Sequence, residues 1–66
     1  MKVSYDKKHD IAYIRFSNLK PDGAIEIEEG IVIDTTADNK IVGIEIFDAG
    51  RRLPLRNLFS LEPART

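Results

Sequence analysis

The chain has 66 residues, no cysteine and a formal net charge of −1, which limits it to one small domain and excludes disulfide bonds and most zinc sites. No apolar run approaches the roughly 20 residues of a membrane-spanning helix, and the N-terminus lacks the apolar core of a signal peptide. We therefore expect a cytoplasmic protein, and because so short a chain buries only about 60% of its unfolded surface, its stability depends on packing or association.

The first predicted element is an amphipathic β-hairpin with strands near residues 2–6 and 11–17. A four-residue loop, KKHD at residues 7–10, sets a register in which apolar side chains share one face. Alternation with a period of two residues is typical of a strand that buries one face. The predicted apolar pairs are Met1 with Phe16, Val3 with Ile14 and Tyr5 with Ala12, and the pairs on the opposite face are Lys2 with Arg15 and Ser4 with Tyr13.

A third strand is predicted near residues 24–28, after the turn-forming run PDG at residues 21–23. Apolar and acidic side chains alternate along it, with Ile25 and Ile27 on one side and Glu26 and Glu28 on the other. Glu29 and Gly30 end the strand. The short links before and after it favour antiparallel neighbours, because a parallel return needs a crossover of a dozen or more residues.

Two further strands, near residues 30–36 and 40–47, form a second predicted hairpin. Asp38 and Asn39 are the predicted two-residue turn, since asparagine tolerates the positive φ that such a turn requires. One face then pairs Thr35 with Val42, Ile33 with Ile44 and Ile31 with Ile46, and the other pairs Thr36 with Ile41, Asp34 with Gly43 and Val32 with Glu45. Slipping by one residue would destroy this separation.

These elements predict a mainly β (α+β) fold: an antiparallel meander sheet of about five strands, half-barrel-like, covered by a short C-terminal helical segment. Asp48 is a candidate N-cap for that segment, and Gly50 and Pro54 limit its length. Leu55, Leu58 and Leu61 recur at three-residue spacing, as on one face of a helix. We expect one domain over residues 1–61 and a frayed tail over residues 62–66.

Two stretches, YDKKHDIAYIRFS and GIVIDTTADNKIVGIEIFDA, resemble the prokaryotic domain of unknown function family 2283. The matching positions are Tyr5, Asp6, Tyr13, Ile14, Gly30, Asp34 and the run VGIEI at residues 42–46. The resemblance covers residues 1–53, with departures at Asn39, Phe47 and Gly50, where Gly, Leu and Ser are common. It implies a compact β-rich protein of uncharacterised activity and supplies no catalytic residue to transfer.

Catalytic and metal-binding candidates are sparse in this sequence. His9 lies in the first loop near Asp6 and Asp10, but one histidine with loop carboxylates is weak evidence for a metal site, and we interpret it as a solvated turn. No nucleophile-elbow motif surrounds Ser4 or Ser17. We therefore expect no catalytic residue, no metal and no cofactor.

Four carboxylates, those of Glu26, Glu28, Asp34 and Glu45, are predicted to line the polar face of the sheet. Simple solvation is the leading interpretation, and the alternative is a cation site or acid–base chemistry between carboxylates with separated pKa values. Asp34 is the most informative of them, because its predicted neighbour Gly43 has no side chain. The gap leaves space for a hydrogen bond from a neighbouring turn, for a ligand or for another backbone.

Charge is divided along the chain in a way that bears on partners. Residues 1–20 carry five basic and two acidic side chains, residues 21–50 carry one basic and eight acidic, and residues 51–66 carry four basic and one acidic. Basic ends and an acidic middle can compensate within one chain, pair with a second copy or meet different partners.

The leading functional hypothesis is a non-enzymatic, self-associating or protein-interaction module. We expect a homodimer in which four C-terminal apolar residues form either the interface or the intrachain cover that supports it: Leu55, Leu58, Phe59 and Leu61. The alternative is a nucleic-acid-associated accessory protein that uses a C-terminal basic patch of Arg51, Arg52 and Arg56. Nucleic-acid binding is the less favoured hypothesis, because the isoelectric point of 5.7 is acidic and no recognised motif is present.

Overall fold

The computed structural model describes residues 1–54, which form one open five-stranded antiparallel sheet followed by a short helix. The elements are β1 Lys2–Asp6, β2 Ile11–Arg15, β3 Gly23–Glu28, β4 Ile31–Thr35, β5 Ile41–Phe47 and α1 Ala49–Arg52. The predicted mainly β class is therefore confirmed, and each predicted strand is present with similar bounds. Within the described residues, no helix is long and apolar enough to cross a membrane.

The order of the strands in the sheet is β1-β2-β5-β4-β3, which corrects the predicted meander. In a meander β3 would lie beside β2, whereas here β5 takes that place. The link over residues 16–22 permits this, since its seven residues reach about 23 Å when extended and three strand spacings are only about 14 Å. The acidic strand β3 therefore lies at an edge of the sheet, where charged side chains discourage unwanted pairing.

The predicted register of the first hairpin is confirmed. Strands β1 and β2 pair Lys2 with Arg15, Val3 with Ile14, Ser4 with Tyr13 and Tyr5 with Ala12. The alternation of apolar and polar side chains over a short loop was sufficient to determine it, because this register puts Val3, Ala12 and Ile14 together on one face.

The second hairpin matches its predicted register at four pairs and departs from it next to the turn. Strands β4 and β5 pair as predicted from Ile31 with Ile46 to Asp34 with Gly43, but Thr35 pairs with Ile41 rather than Val42. The loop has three residues instead of two: the Thr36 amide donates to the Lys40 carbonyl at 2.8 Å, and Asn39 has a φ of 67°. Further along β5, a bulge at Val42 separates the Thr35–Ile41 pair from the Asp34–Gly43 pair.

The backbone at the Val42 bulge also forms hydrogen bonds with the residues that follow strand β2. The Val42 carbonyl accepts hydrogen bonds from the amides of Phe16 at 2.8 Å and Ser17 at 3.3 Å, just beyond the end of β2. A second irregularity interrupts β3, where the pairing with β4 shifts between Glu26 and Glu28. This shift pairs Glu28 with Ile31 and breaks the predicted alternation of Ile27 and Glu28 along the strand.

Side chains that share one side of the sheet are mostly aliphatic, and we call this side the apolar face. One row crosses all five strands through Val3, Ile14, Ile44, Ile33 and Ile25. Among residues 1–54, only three hydrophobic residues are fully buried: Ala12, Val42 and Ala49. The large aliphatic side chains of the row are half-buried or exposed, so the sheet keeps an incompletely covered face.

The C-terminal cover is only partly described. Helix α1 begins after Asp48, which occupies the N-cap position with a left-handed backbone but makes no capping hydrogen bond with its side chain. The predicted side-chain cap by Asp48 is therefore wrong, because its carboxylate turns to the Arg51 guanidinium, 3.7 Å away. Leu55, Leu58, Phe59 and Leu61 lie outside the described residues, so their covering role stays a prediction.

Candidate functional site

The polar face is the opposite side of the sheet, and two rows of side chains cross it. The first row contains Lys2, Arg15, Gly43, Asp34 and Ala24, and the second contains Ser4, Tyr13, Glu45, Val32 and Glu26. Both rows follow from the pairing of β2 with β5, which brings the basic N-terminal hairpin against the acidic centre of the chain. Charge of opposite sign therefore occupies the two halves of one face.

Tyr13 occupies the gap beside Asp34 that the sequence predicted at Gly43. A Cβ atom placed on Gly43 would lie 2.5 Å from the Tyr13 hydroxyl and 2.7 Å from both the Tyr13 Cζ atom and the Ile14 carbonyl oxygen. The glycine thus allows the phenol ring to cross β5 toward Asp34. The sequence predicted a hydrogen bond from a turn, a ligand or another backbone at this gap, and the structure instead fills it with the side chain of Tyr13.

The carboxylates beside Tyr13 share a half-buried environment. Burial raises the pKa of Glu45, and hydrogen bonding and charge repulsion from Asp34 raise it further. Burial likewise raises the pKa of Tyr13, with Asp34 adding to the shift and Arg15 opposing it. Two carboxylates close together disfavour double ionisation, so a proton is retained at this centre more readily than on an isolated glutamate.

Arg15 contributes a positive charge beside Tyr13 in the same cluster. Its guanidinium carbon lies 5.7 Å from the centroid of the Tyr13 ring, in a cation–π arrangement. Lys2 lies directly opposite Arg15 on β1. Between these two side chains is an open depression of about 250 Å³, lined by Lys2, Ser4, Tyr13, Arg15 and Asn18.

A separate polar junction holds the first loop against helix α1. The Asp10 carboxylate accepts hydrogen bonds from the Tyr5 hydroxyl at 2.7 Å and from the Gly50 amide at 2.9 Å, and the Asp10 carbonyl accepts from the Ala49 amide at 3.0 Å. Asp10 therefore satisfies the helix amides that Asp48 leaves without a side-chain cap. The hydrogen bond to Asp10 is the main reason why the pKa of Tyr5 is raised.

His9 is a turn residue in the structure. Its Nδ1 atom lies 2.8 Å from an Asp6 carboxylate oxygen, and its amide donates to the other oxygen at 3.1 Å. These hydrogen bonds lower the pKa of Asp6. Within residues 1–54, no group of three histidine, cysteine, aspartate or glutamate side chains is arranged to hold a metal ion.

The other two predicted carboxylates, those of Glu26 and Glu28, lie in rows on different faces of the sheet. Glu26 shares the polar face with Asp34 and Glu45, whereas the bulge in β3 places Glu28 opposite Ile31 in an apolar-face row. Both Glu26 and Glu28 are exposed on the edge strand. The predicted line of four carboxylates is thus corrected to three, and only Asp34 and Glu45 interact closely.

The predicted basic patch is split between described and undescribed residues. Arg51 and Arg52 are exposed on α1, and Arg51 pairs with Asp48. A Cβ atom placed on Gly30 would lie 3.1 Å from a guanidinium nitrogen of Arg52, so Arg52 packs over the turn between β3 and β4. Arg56 lies outside the described residues.

Sequence reasoning identified Asp34 and Gly43 but missed Tyr13, Arg15 and Lys2 as their neighbours on the polar face. These three became neighbours of the cluster only through the pairing of β2 with β5, which joins strands separated by 25 residues of chain. The sequence did predict part of this arrangement, because it correctly placed four residues together on the polar side of the first hairpin: Lys2, Ser4, Tyr13 and Arg15.

Comparison with known protein families gives one match. Residues 2–49 match a family model described as a protein of unknown function (DUF2283), which confirms the resemblance seen in the strand motifs. The match ends at the first residue of α1, so it spans the whole sheet. No curated protein and no solved structure matches the chain.

Proposed function

The chain belongs to the DUF2283 family of proteins of unknown function, and we propose that it is a non-enzymatic module that self-associates through its apolar face. The proposed occupant of that face is the apolar face of a second copy. Two sheets packed face to face, about 10 Å apart, form a common protein core. Such a dimer would be symmetric, as most soluble homo-oligomers are.

The observation that carries this proposal is the incomplete burial of the apolar face. Ile25 is 53% exposed and Phe16 is 45% exposed, and the isoleucines in the centre of the row are only half-buried. A single sheet needs a second layer against which its apolar side is removed from water. Contiguous apolar patches of this kind are typical of interaction surfaces.

The apolar face is large enough to require a cover of its own size. Five strands with about five residues each present roughly 24 by 17 Å, or about 400 Å² in projection. A second copy supplies a cover of matching size and chemistry.

Charge supports association of like chains as well. The two edges differ in charge, since β3 carries Glu26 and Glu28 and no cation, whereas β1 carries Lys2 and Asp6 and is followed by the loop lysines at residues 7 and 8. Two copies related by a twofold axis can place the basic edge of one near the acidic edge of the other. Opposite charges at the rim set orientation while the apolar centre supplies most of the affinity.

Sedimentation equilibrium at micromolar concentration tests this proposal with two matched lysine variants. Ile25→Lys places a charge on the apolar face, and Ala24→Lys places the same charge on the polar face of the same exposed strand. We expect a wild-type dimer, a dissociation constant about tenfold or more higher for Ile25→Lys, and little change for Ala24→Lys.

Two results would contradict the proposal: a wild-type monomer throughout the concentration range, or equal weakening by both lysine variants. A monomer that binds single- or double-stranded nucleic acid at low salt, and that loses this binding on replacement of Arg51 and Arg52, would favour the nucleic-acid hypothesis instead.

A further inference from the structure

We propose that the depression between Lys2 and Arg15 on the polar face is a binding site for a phosphate group. The depression has a volume of about 250 Å³ and is open to solvent on one side. A second depression of about 160 Å³ adjoins it and shares Lys2, Arg15 and Asn18. This proposal is independent of self-association, because the apolar face lies on the other side of the sheet.

The charges around the depression are of one sign. Lys2 and Arg15 lie directly opposite each other across β1 and β2, and like charges in this position destabilise a sheet. Within the described part of the chain, the ion pairs join other side chains, and neither Lys2 nor Arg15 lies within 4.0 Å of a carboxylate. None of the described residues that line the depression is acidic. An anion bound between the two cations would relieve their repulsion.

The arginine lies over an aromatic ring on this face. Its guanidinium carbon is 5.7 Å from the centroid of the Tyr13 ring, and that ring crosses Gly43. A cation–π contact restricts the guanidinium while its planar fork of donors stays available. Asp34 and Glu45, the nearest acidic groups on this face, lie around the far end of Tyr13, outside the lining of the depression.

The donors around the depression suit a phosphate group better than a planar carboxylate. Lys2 and Ser4 belong to β1, Arg15 belongs to β2, and Asn18 belongs to the link that follows β2. An ammonium, a hydroxyl, a guanidinium and an amide thus come from three segments of the chain. A tetrahedral group with three terminal oxygens can accept hydrogen bonds from several such directions at once.

The test is a ¹H–¹⁵N NMR titration of the full chain with inorganic phosphate and, in parallel, glycerol 3-phosphate, at constant ionic strength because salt screens exposed charges. We expect the amides of Ser4, Arg15 and Asn18 to shift with a common saturation curve. Equal affinity for the two probes would identify free phosphate as the ligand, and tighter binding of glycerol 3-phosphate would identify a phosphomonoester; either result supports the proposal.

Matched charge variants make the test specific. Lys2→Gln and Arg15→Gln each remove one cation from the depression, whereas Lys8→Gln removes one from the loop at the opposite end of the same hairpin. We expect about tenfold weaker phosphate binding for the first two variants and less than about twofold for the third. All three side chains are exposed, and the NMR spectrum away from the depression verifies that each variant is folded.

A second measurement uses the like-charge pair itself. In phosphate-free buffer, Lys2→Gln should unfold at the same or a higher temperature than the wild type, and added phosphate should raise the unfolding temperature of the wild type more than that of the variant. The proposal is overturned if phosphate shifts no amide around the depression, or if Lys8→Gln weakens binding as much as Arg15→Gln does.

Discussion

Replacing Gly43 by alanine tests whether the contact of Tyr13 with β5 organises the polar face. The added methyl group would lie 2.5 Å from the Tyr13 hydroxyl and 2.7 Å from the Ile14 carbonyl oxygen. Ordinary contacts of a Cβ atom begin near 3.4 Å, so both neighbours must move by most of an ångström. Tyr13 can swing away at its flexible end, but the Ile14 carbonyl belongs to the backbone ladder between β2 and β5.

The expected loss is about 1 to 3 kcal/mol in the free energy of unfolding, the usual range for overpacking a well-packed site. A domain of this length has a total stability of roughly 3 to 10 kcal/mol, so the variant should lose a large fraction of it. Gly23→Ala is the matched control, because its new Cβ atom would meet only the Thr35 hydroxyl at 3.8 Å. That change should be neutral or slightly stabilising, since alanine restricts the unfolded chain more than glycine does.

Urea unfolding followed by far-ultraviolet circular dichroism is a suitable assay, because the chain has no tryptophan. A double-mutant cycle with Tyr13→Ala separates the two contacts. On that background Gly43→Ala should be less destabilising but not neutral, because the contact with the Ile14 carbonyl remains. If Gly43→Ala were as stable as Gly23→Ala, the close crossing of Tyr13 over β5 would be refuted.

Three further predictions concern the loop, the turn and the carboxylate pair. Asp10→Ala should lower the free energy of unfolding by about 1 to 2 kcal/mol, because the hydrogen bonds to Gly50 and Tyr5 are lost. Asp10→Asn should lower it by less. Equal losses for the two variants in chemical denaturation would show that these side-chain hydrogen bonds are unimportant. Asn39→Ala should lose about 1 kcal/mol because φ is 67° there, whereas Asn39→Gly should not; a thermal melt in which both behave alike would argue against the left-handed turn. The pKa of Glu45 is raised above its ordinary 4.5 in the folded protein, so the stabilising contribution of its protonated form is full below the unfolded pKa and is lost as pH rises through the folded pKa. Glu45→Gln should therefore gain more stability over the wild type at neutral pH than below about pH 4. A gain in stability that is independent of pH would contradict this prediction.

The sequence by itself determined the local pairing of this protein. Residues 2–15 and 31–46 carry a predominantly apolar alternation around short loops, so one register in each hairpin brings most of the aliphatic side chains together on one face. The juxtaposition of Asp34 with Gly43 followed from the same alternation. The sequence did not predict the three-residue loop at Asn39 or the bulge at Val42. Two- and three-residue loops accept the same turn residues and differ only in backbone geometry.

The tertiary structure alone decided which hairpins lie side by side. Strand β2 can pair with β3 or with β5 without changing any local preference, since closing the longer loop adds little entropy. Pairing with β5 aligns Ile14, Ile44 and Ile33 in one row and leaves the acidic β3 at an edge. That pairing also brings Tyr13, Arg15 and Lys2 into the polar-face cluster. The free energy of burying isoleucines while leaving glutamates exposed depends on the whole sheet, so no single segment of the chain determines it.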